Sequence, residues 1–145
     1  MAGAVRQDHP TVRWRGREIH YRANRACPIF TELYGLVVKA VGLADVLRGA
    51  LLPFQTDITL AAICGSQAAG TARSGSDVDL LVVGAVEEMS LHKAVAEAEI
   101  RLARTVNYTL LTPREFTRRR RDRGGFVARI LAGPLIPLLG SPDGA

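Results

Sequence analysis

GSQAAGTARSGSDVDLLVVG (Gly65–Gly84) decides how the rest of the chain is read. It opens on a Gly-Ser turn, runs through ten small or polar residues, and reaches Asp77 and Asp79 at the mouth of an apolar run. Side chains at i and i+2 of a strand share a face, so Asp77 and Asp79 project together while Val78 and Leu80 turn into the core. Two carboxylates aimed at one point repel unless a cation or protons intervene. Mg²⁺ suits such oxygen ligands, and it is commonly held by one or two carboxylates plus substrate phosphates rather than by a full protein cage. A phosphate site is therefore expected close by, and Gly65-Ser66 supplies one. Glycine lets the backbone approach closely, serine offers a hydroxyl, and a following helical turn presents free N–H groups to an anion. The competing reading is a well-solvated turn that is acidic by chance.

Outward from this stretch the chain alternates strands and helices. Asp57–Gly65 (DITLAAICG) is a short apolar run stopped by Gly-Ser, the pattern of a buried strand. Asp77–Gly84 is a second strand, β-branched and closed by Gly84. Val86 to Arg104 has helical periodicity through Met89, Leu91, Val95, Ala98 and Leu102, with Glu87 and Glu88 in the first turn where the helix dipole favours them. Thr105–Thr112 (TVNYTLLT) predicts a third strand. Pro113 starts a short helix, PREFTRRRRDR, which Gly124-Gly125 breaks before a second brief helix, FVARILAG. PLIPLLG predicts a terminal edge strand, since Pro137 excludes a central one. Upstream, Pro28 to Leu52 carries an amphipathic helical pattern that Gly42 divides and Pro53 ends. Thr11–Ala23 alternates around Arg15-Gly16-Arg17, a hairpin signal. The expected class is α/β (α+β), in four segments: a β-hairpin at 1–25, a helical connector at 26–56, the catalytic-type domain at 57–140 and a frayed tail at 141–145.

A chain of 145 residues is one domain of ordinary size. No apolar run approaches the roughly 18 residues of a membrane span, and MAGAVRQDHP has no apolar segment of export type. Cys27 and Cys64 form no metal-spaced cluster and read as reduced residues of a cytoplasmic protein. The net charge of +5 is concentrated: residues 1–25 carry six Arg against Asp8 and Glu18, and residues 114–123 carry six against Glu115 and Asp122. Such patches suit nucleic acid or nucleotide phosphates, or are simply solvated faces. Two competing motifs fail. GSQAAGT has Thr71 where a P-loop requires Lys, and Ser66 lacks the frame of a hydrolase nucleophile. His9, His20 and His92 are scattered.

Gly65-Ser66, ten residues, then Asp77-Val78-Asp79 resembles the GS-x10-DxD signature of the polymerase-beta-like nucleotidyltransferase superfamily. With Gly70 and Ser76 the pattern is similar to that of minimal nucleotidyltransferases, over about residues 57–112. The resemblance implies a mixed sheet with helices packed mainly on one side. It implies transfer of a nucleoside monophosphate from NTP, ATP before others, to a hydroxyl, with Mg²⁺ (two ions; Mn²⁺ as a substitute) as cofactor. Carried over, Asp77 and Asp79 are the catalytic metal ligands, Gly65 and Ser66 hold the nucleotide phosphates, and Arg73 and Ser76 assist. It also implies a small helical partner of the HEPN class, the toxin–antitoxin arrangement, with the partner's hydroxyl as one candidate acceptor.

One position departs from the family. Where a third carboxylate is expected on the later strand, this chain has Asn107, which can offer a carbonyl oxygen to a metal but no charge and no general base. Glu115 substitutes only if the loop after the strand folds back. VRWRGREIHYRAN resembles the wing hairpin of arsenic-repressor-type winged helices, ending in Tyr21-Arg22; about ten residues precede it, too few for a recognition helix, so the resemblance implies a winged-helix remnant or a chain start that lies upstream. A wing alone binds DNA feebly; the other reading is a hairpin packed on the helical segment or on a second subunit of a homodimer. Two functions stay open: a Mg²⁺-dependent nucleotidyltransferase, or a degenerate one serving as a nucleotide-binding or DNA-associated regulator.

Overall fold

The computed structural model describes residues 11–15, 18–22, 42–73 and 75–144. The chain divides into two units, Met1–Val41 and Gly42–Ala145. In the first, β1 (Thr11–Arg15) and β2 (Glu18–Arg22) pair antiparallel, with Thr11 opposite Arg22 and Arg15 opposite Glu18. This is the alternating hairpin expected around Gly16. The helix expected from Pro28 falls, as far as residue 41, outside the described residues, as do His9 and Cys27.

The second unit is built on a four-stranded mixed sheet of order β5-β4-β3-β6. Helix α1 (42–51) leads through a 3₁₀ turn at Leu52–Phe54 into β3 (Ile58–Cys64), which pairs antiparallel with β4 (Val78–Gly84). Between them stands the short α2 (Ser66–Ala69). Helix α3 (Glu88–Leu102) then carries the chain back to β5 (Val106–Leu111), parallel to β4. Fifteen helical residues rise about 22 Å, close to the roughly 23 Å of a seven-residue strand. The crossover therefore returns β5 to the end of the sheet where β4 began. Helices α4 (Pro113–Arg120) and α5 (Phe126–Ala132) follow, and β6 (Ile136–Gly140) pairs with β3 as the far edge.

The central strands are buried on both faces, which explains their almost continuous apolar sequence. Ala61, Ile63, Val78, Leu80 and Val82 face α1 and α3, meeting Leu47, Leu51, Leu91 and Val95. Leu60, Ala62, Leu81 and Val83 face Phe116 of α4 and Val127 of α5. The two long helices thus share one face, and two shorter ones cover part of the other. Periodicity overstated one contact: Met89, read as part of the apolar stripe of α3, is 71% exposed, because Glu87 caps the helix and leaves residue 89 on its outer side.

The edge position of β6 follows from Pro137, which has no N–H to give a second neighbour. Arg48 of α1 reaches two carbonyls of this edge strand, donating from Nε to the Leu138 oxygen (3.2 Å) and from Nη2 to that of Pro137 (3.4 Å). Among the described residues no helix is long and apolar enough to cross a membrane.

Candidate functional site

The site forms where β3 ends and β4 and β5 begin. Cys64, the last residue of β3, lies opposite Asp79, and Asp79 lies beside Asn107 across the parallel pair. One residue past Cys64 the chain turns at Gly65 with φ 71° and ψ −148°, a conformation open almost only to glycine. A Cβ at this position would stand 2.5 Å from Asp79 Oδ2, so the carboxylate rests directly against the Gly65 backbone. The backbone conformation requires glycine, and the contact adds the cost of moving the end of the Asp79 side chain.

Gly65→Ala is expected to cost about 1–3 kcal/mol from the backbone conformation, and more from displacement of Asp79. In an Asp79→Ala background the collision is gone, so the second cost should vanish and the pair should be non-additive. Denaturant midpoints of the four proteins measure this coupling.

Ser66 opens α2, and its carbonyl accepts from the Thr71 and Ala72 amides at 3.0 and 3.1 Å, folding the chain back on itself. The Ser66 hydroxyl has no partner among the described residues. The loop that follows is tied by Ser76, whose hydroxyl accepts from the Arg73 amide at 2.9 Å while its own amide donates to the Arg73 carbonyl at 3.0 Å. Ser76 therefore shapes the approach to Asp77, and Arg73 stands exposed beside it. Asp77 precedes the first residue of β4 and is exposed; Asn107 Nδ2 donates to its Oδ2 at 3.2 Å. Asp79 is half-buried, and no described residue donates to its carboxylate. The structure thus brings Gly65, Ser66, Asp77, Asp79 and Asn107 together, with Arg73 and Ser76 on the flanking loop.

Glu115 is placed elsewhere. It forms a capping box with Thr112 at the start of α4, accepting from the Thr112 amide and hydroxyl, both at 2.9 Å. The bond from the Thr112 backbone, then that from its hydroxyl, hold the Glu115 carboxyl below its ordinary value of 4.5, with Arg119 and Arg118 adding to the effect. The loop does not fold back to make it a third acidic ligand. A depressed folded-state pKa contributes stability above the unfolded value that is lost as pH falls through the folded one. Glu115→Gln should therefore lower the urea midpoint at neutral pH, and the difference from wild type should disappear well below pH 4.5. The signal was present in the sequence as Thr-Pro-Arg-Glu ahead of Phe116.

A cavity of about 380 Å³ opens from Asp79 and Gly65 along the sheet face that carries α5. Leu81, Thr109 and Asn107 form its floor, and Phe126 and Ile130 its wall. Cys64 lines it as well, with its thiol held protonated. Burial, then the neighbouring Asp79 charge, push its pKa up to about 11. The wall residues were not anticipated as site residues, because FVARILAG reads equally well as a helix that serves only the core. Tyr108, the intervening residue of β5, sends its hydroxyl away to His92 Nδ1 at 3.3 Å.

Among the described residues no three His, Cys, Asp or Glu side chains gather as a metal-holding group. The acidic set is Asp77 and Asp79, with an amide beside them. That donor set still fits one Mg²⁺ whose remaining ligands are water and substrate phosphate. The unpartnered Asp79 carboxylate, held against a glycine, is the group such an ion would satisfy. Asn107 contributes its carbonyl only after its amide rotates away from Asp77.

The model of the nucleotidyltransferase domain family matches residues 47–131. No curated protein matches the sequence. Among solved structures, the chain is similar to a toxin–antitoxin with AMP-PNP: 16% identity, 69% of this chain and 75% of the other, TM-score 0.47. It is similar to a mutant of the toxin–antitoxin MntA-HpeT at 14% identity, with 69% and 75% covered and a TM-score of 0.49. A third similarity is to a chain of the tri-AMPylated Shewanella oneidensis HEPN toxin in complex with MNT antitoxin, at 13% identity, with 74% and 75% covered and a TM-score of 0.43.

Proposed function

The chain belongs to the nucleotidyltransferase domain family, and from that premise we propose that it transfers a nucleoside monophosphate from an NTP, ATP first, to an acceptor hydroxyl. The acceptor oxygen bonds to the α-phosphorus as the bond to the β-phosphate bridging oxygen breaks; pyrophosphate leaves, and the acceptor proton passes to a base. The observation that carries this reading is the Asp79 carboxylate, without a hydrogen-bond donor among the described residues and resting 2.5 Å from where a Gly65 side chain would begin. An acidic group is thereby set against the turn from which the Ser66 hydroxyl is offered.

Each residue has a separable task. Gly65 leaves room for the Asp79 carboxylate, and the Ser66 hydroxyl beside it is available to donate to the β- and γ-phosphates. Asp77 and Asp79 would hold Mg²⁺, with Mn²⁺ as a substitute. When bound, the ion neutralises phosphate oxygens and polarises the phosphorus. The family's second ion would find less charge here, because Asn107 stands in the third place. Asn107 cannot take the acceptor proton, and the Cys64 thiol, with its pKa raised to about 11, stays protonated. With Asp77 and Asp79 engaged by the ion, the acceptor proton would pass to solvent water. On the family resemblance alone, the acceptor is a hydroxyl on a small helical HEPN-class partner.

A second reading is favoured by one bond. The Asn107–Asp77 hydrogen bond satisfies Asp77 without a cation, which suits a nucleotide-binding regulator that performs no transfer, associated with DNA through its arginines. Incorporation of label from α-labelled NTP separates the two. Transfer is expected to require Mg²⁺, to be absent with γ-labelled NTP, and to be lost in the Asp77→Ala/Asp79→Ala double variant. Label transfer that survives the double substitution would sink the site; NTP binding without transfer to any acceptor would establish the regulator.

A further inference from the structure

The cavity that begins at Asp79 continues past the acidic residues into an apolar half, and the function proposed above gives that half no task. Phe126 is 46% exposed although it is the first residue of a helix whose next residue, Val127, is fully buried. Its position is fixed rather than incidental. The Gly125 amide donates to the Asp122 carbonyl at 3.0 Å and the Gly124 amide to Asp122 Oδ1 at 3.3 Å, setting the start of α5. Val127 anchors the helix in the core beneath, with Ile130 packed against it. The ring is thus held at the mouth of a cleft whose other walls are Ile130, Leu81 and the carboxylate end of the site.

We propose that Phe126, backed by Ile130, is the nucleobase platform of the site: the base of the bound NTP stacks on the Phe126 ring while its triphosphate reaches Gly65 and Asp79. The inference rests on the nucleotide reading above and deepens it by assigning the base end. Three observations converge on this occupant. The cavity's volume of about 380 Å³ falls within the range of about 300–1,000 Å³ usual for small-ligand clefts. Its chemistry changes from acidic to apolar along its length, as a metal-bound triphosphate joined to a flat aromatic base requires. An exposed ring at its wall offers a π-face that accepts any base, since stacking is tolerant of base identity. Thr109, beside Leu81 in the ladder, adds a hydroxyl to the same lining.

The test compares binding of ATP and of inorganic tripolyphosphate, each with Mg²⁺, to wild type, Phe126→Ala, Phe126→Trp and Asp79→Ala. Phe126→Ala is expected to weaken ATP by about five- to 160-fold, the span of one lost base–aromatic stack, and to leave tripolyphosphate unchanged. Phe126→Trp should restore ATP affinity and show fluorescence quenching by ATP, absent with tripolyphosphate. The half-exposed ring makes these variants tolerable to the fold. ATP affinity unaltered by Phe126→Ala, with Asp79→Ala still destructive, overturns the platform and leaves the nucleotide site standing. Equal losses of ATP and tripolyphosphate in Phe126→Ala also overturn it. Wild type that binds neither ligand refutes the nucleotide reading, and the platform with it.

Discussion

Asp79→Ala is expected to lower nucleotidyl transfer by about 10²–10³-fold, the scale on which one preorganised electrostatic contact to a reacting group acts. The geometry makes this a clean experiment. The carboxylate is half-buried and receives no hydrogen bond from a described residue, so its removal strands no donor. The Cα partners Cys64 and Asn107 belong to backbone ladders that Ala maintains. Stability should therefore be unchanged or slightly raised, because a repulsion with Asp77 is relieved. Asp79→Asn keeps the shape and removes the charge, and should fall as far as Asp79→Ala. Activity retained in Asp79→Asn would mean that shape rather than charge matters there, against a cation site. The measurement is the initial rate of label transfer at saturating Mg²⁺, alongside the denaturant midpoint.

Asn107→Asp is expected to act in the opposite direction, raising transfer by about 10²-fold, the lower end of what a positioned general base supplies. Position 107 is already within hydrogen-bond distance of Asp77 and beside Asp79 in the ladder. A third carboxylate would join the other two without movement of the backbone. Without cation, three acidic groups at one strand mouth repel, and the bond that Asn107 Nδ2 donates is lost. The variant should therefore melt below wild type in chelator and recover as Mg²⁺ is added, while wild type shifts less. A variant that neither gains rate nor becomes Mg²⁺-dependent in its melting would show that the acidic pair does not hold a metal.

Much of this arrangement is legible in the sequence for reasons that can be traced. The Asp77–Asp79 pair and its junction with a buried run follow from strand periodicity, and Gly65-Ser66 marks the turn by composition. Pro137 identifies an edge strand because it lacks a donor. The assignment of Asn107 needed the β4–α3–β5 crossover to return β5 to the start of β4, which helix and strand lengths permit but do not dictate. Legibility ended where the two sheet faces had to be told apart. β3 and β4 are apolar on both sides, so nothing in their pattern shows that α4 and α5 cover one face and α1 and α3 the other. For that reason nothing in FVARILAG, read only as a brief helix, marks Phe126 and Ile130 as the wall of a cavity. Met89 misled in the same way, because apolar spacing alone cannot distinguish a buried stripe from a residue outside a cap. The capping box of Thr112 and Glu115 was readable from spacing, and its structural role removes Glu115 from the acidic site.

The central claim is that a metal-bound triphosphate sits at Gly65–Ser66 with Asp77 and Asp79 on its cation. The most direct test is a crystal of the full chain with a non-hydrolysable NTP analogue and Mn²⁺, read by the anomalous signal of the metal. The account predicts a Mn²⁺ peak coordinated by Asp77 and Asp79, with the β- and γ-phosphates against the Gly65 backbone and the Ser66 hydroxyl. A triphosphate bound along the arginines of α4, with no metal at Asp77 and Asp79, would contradict it.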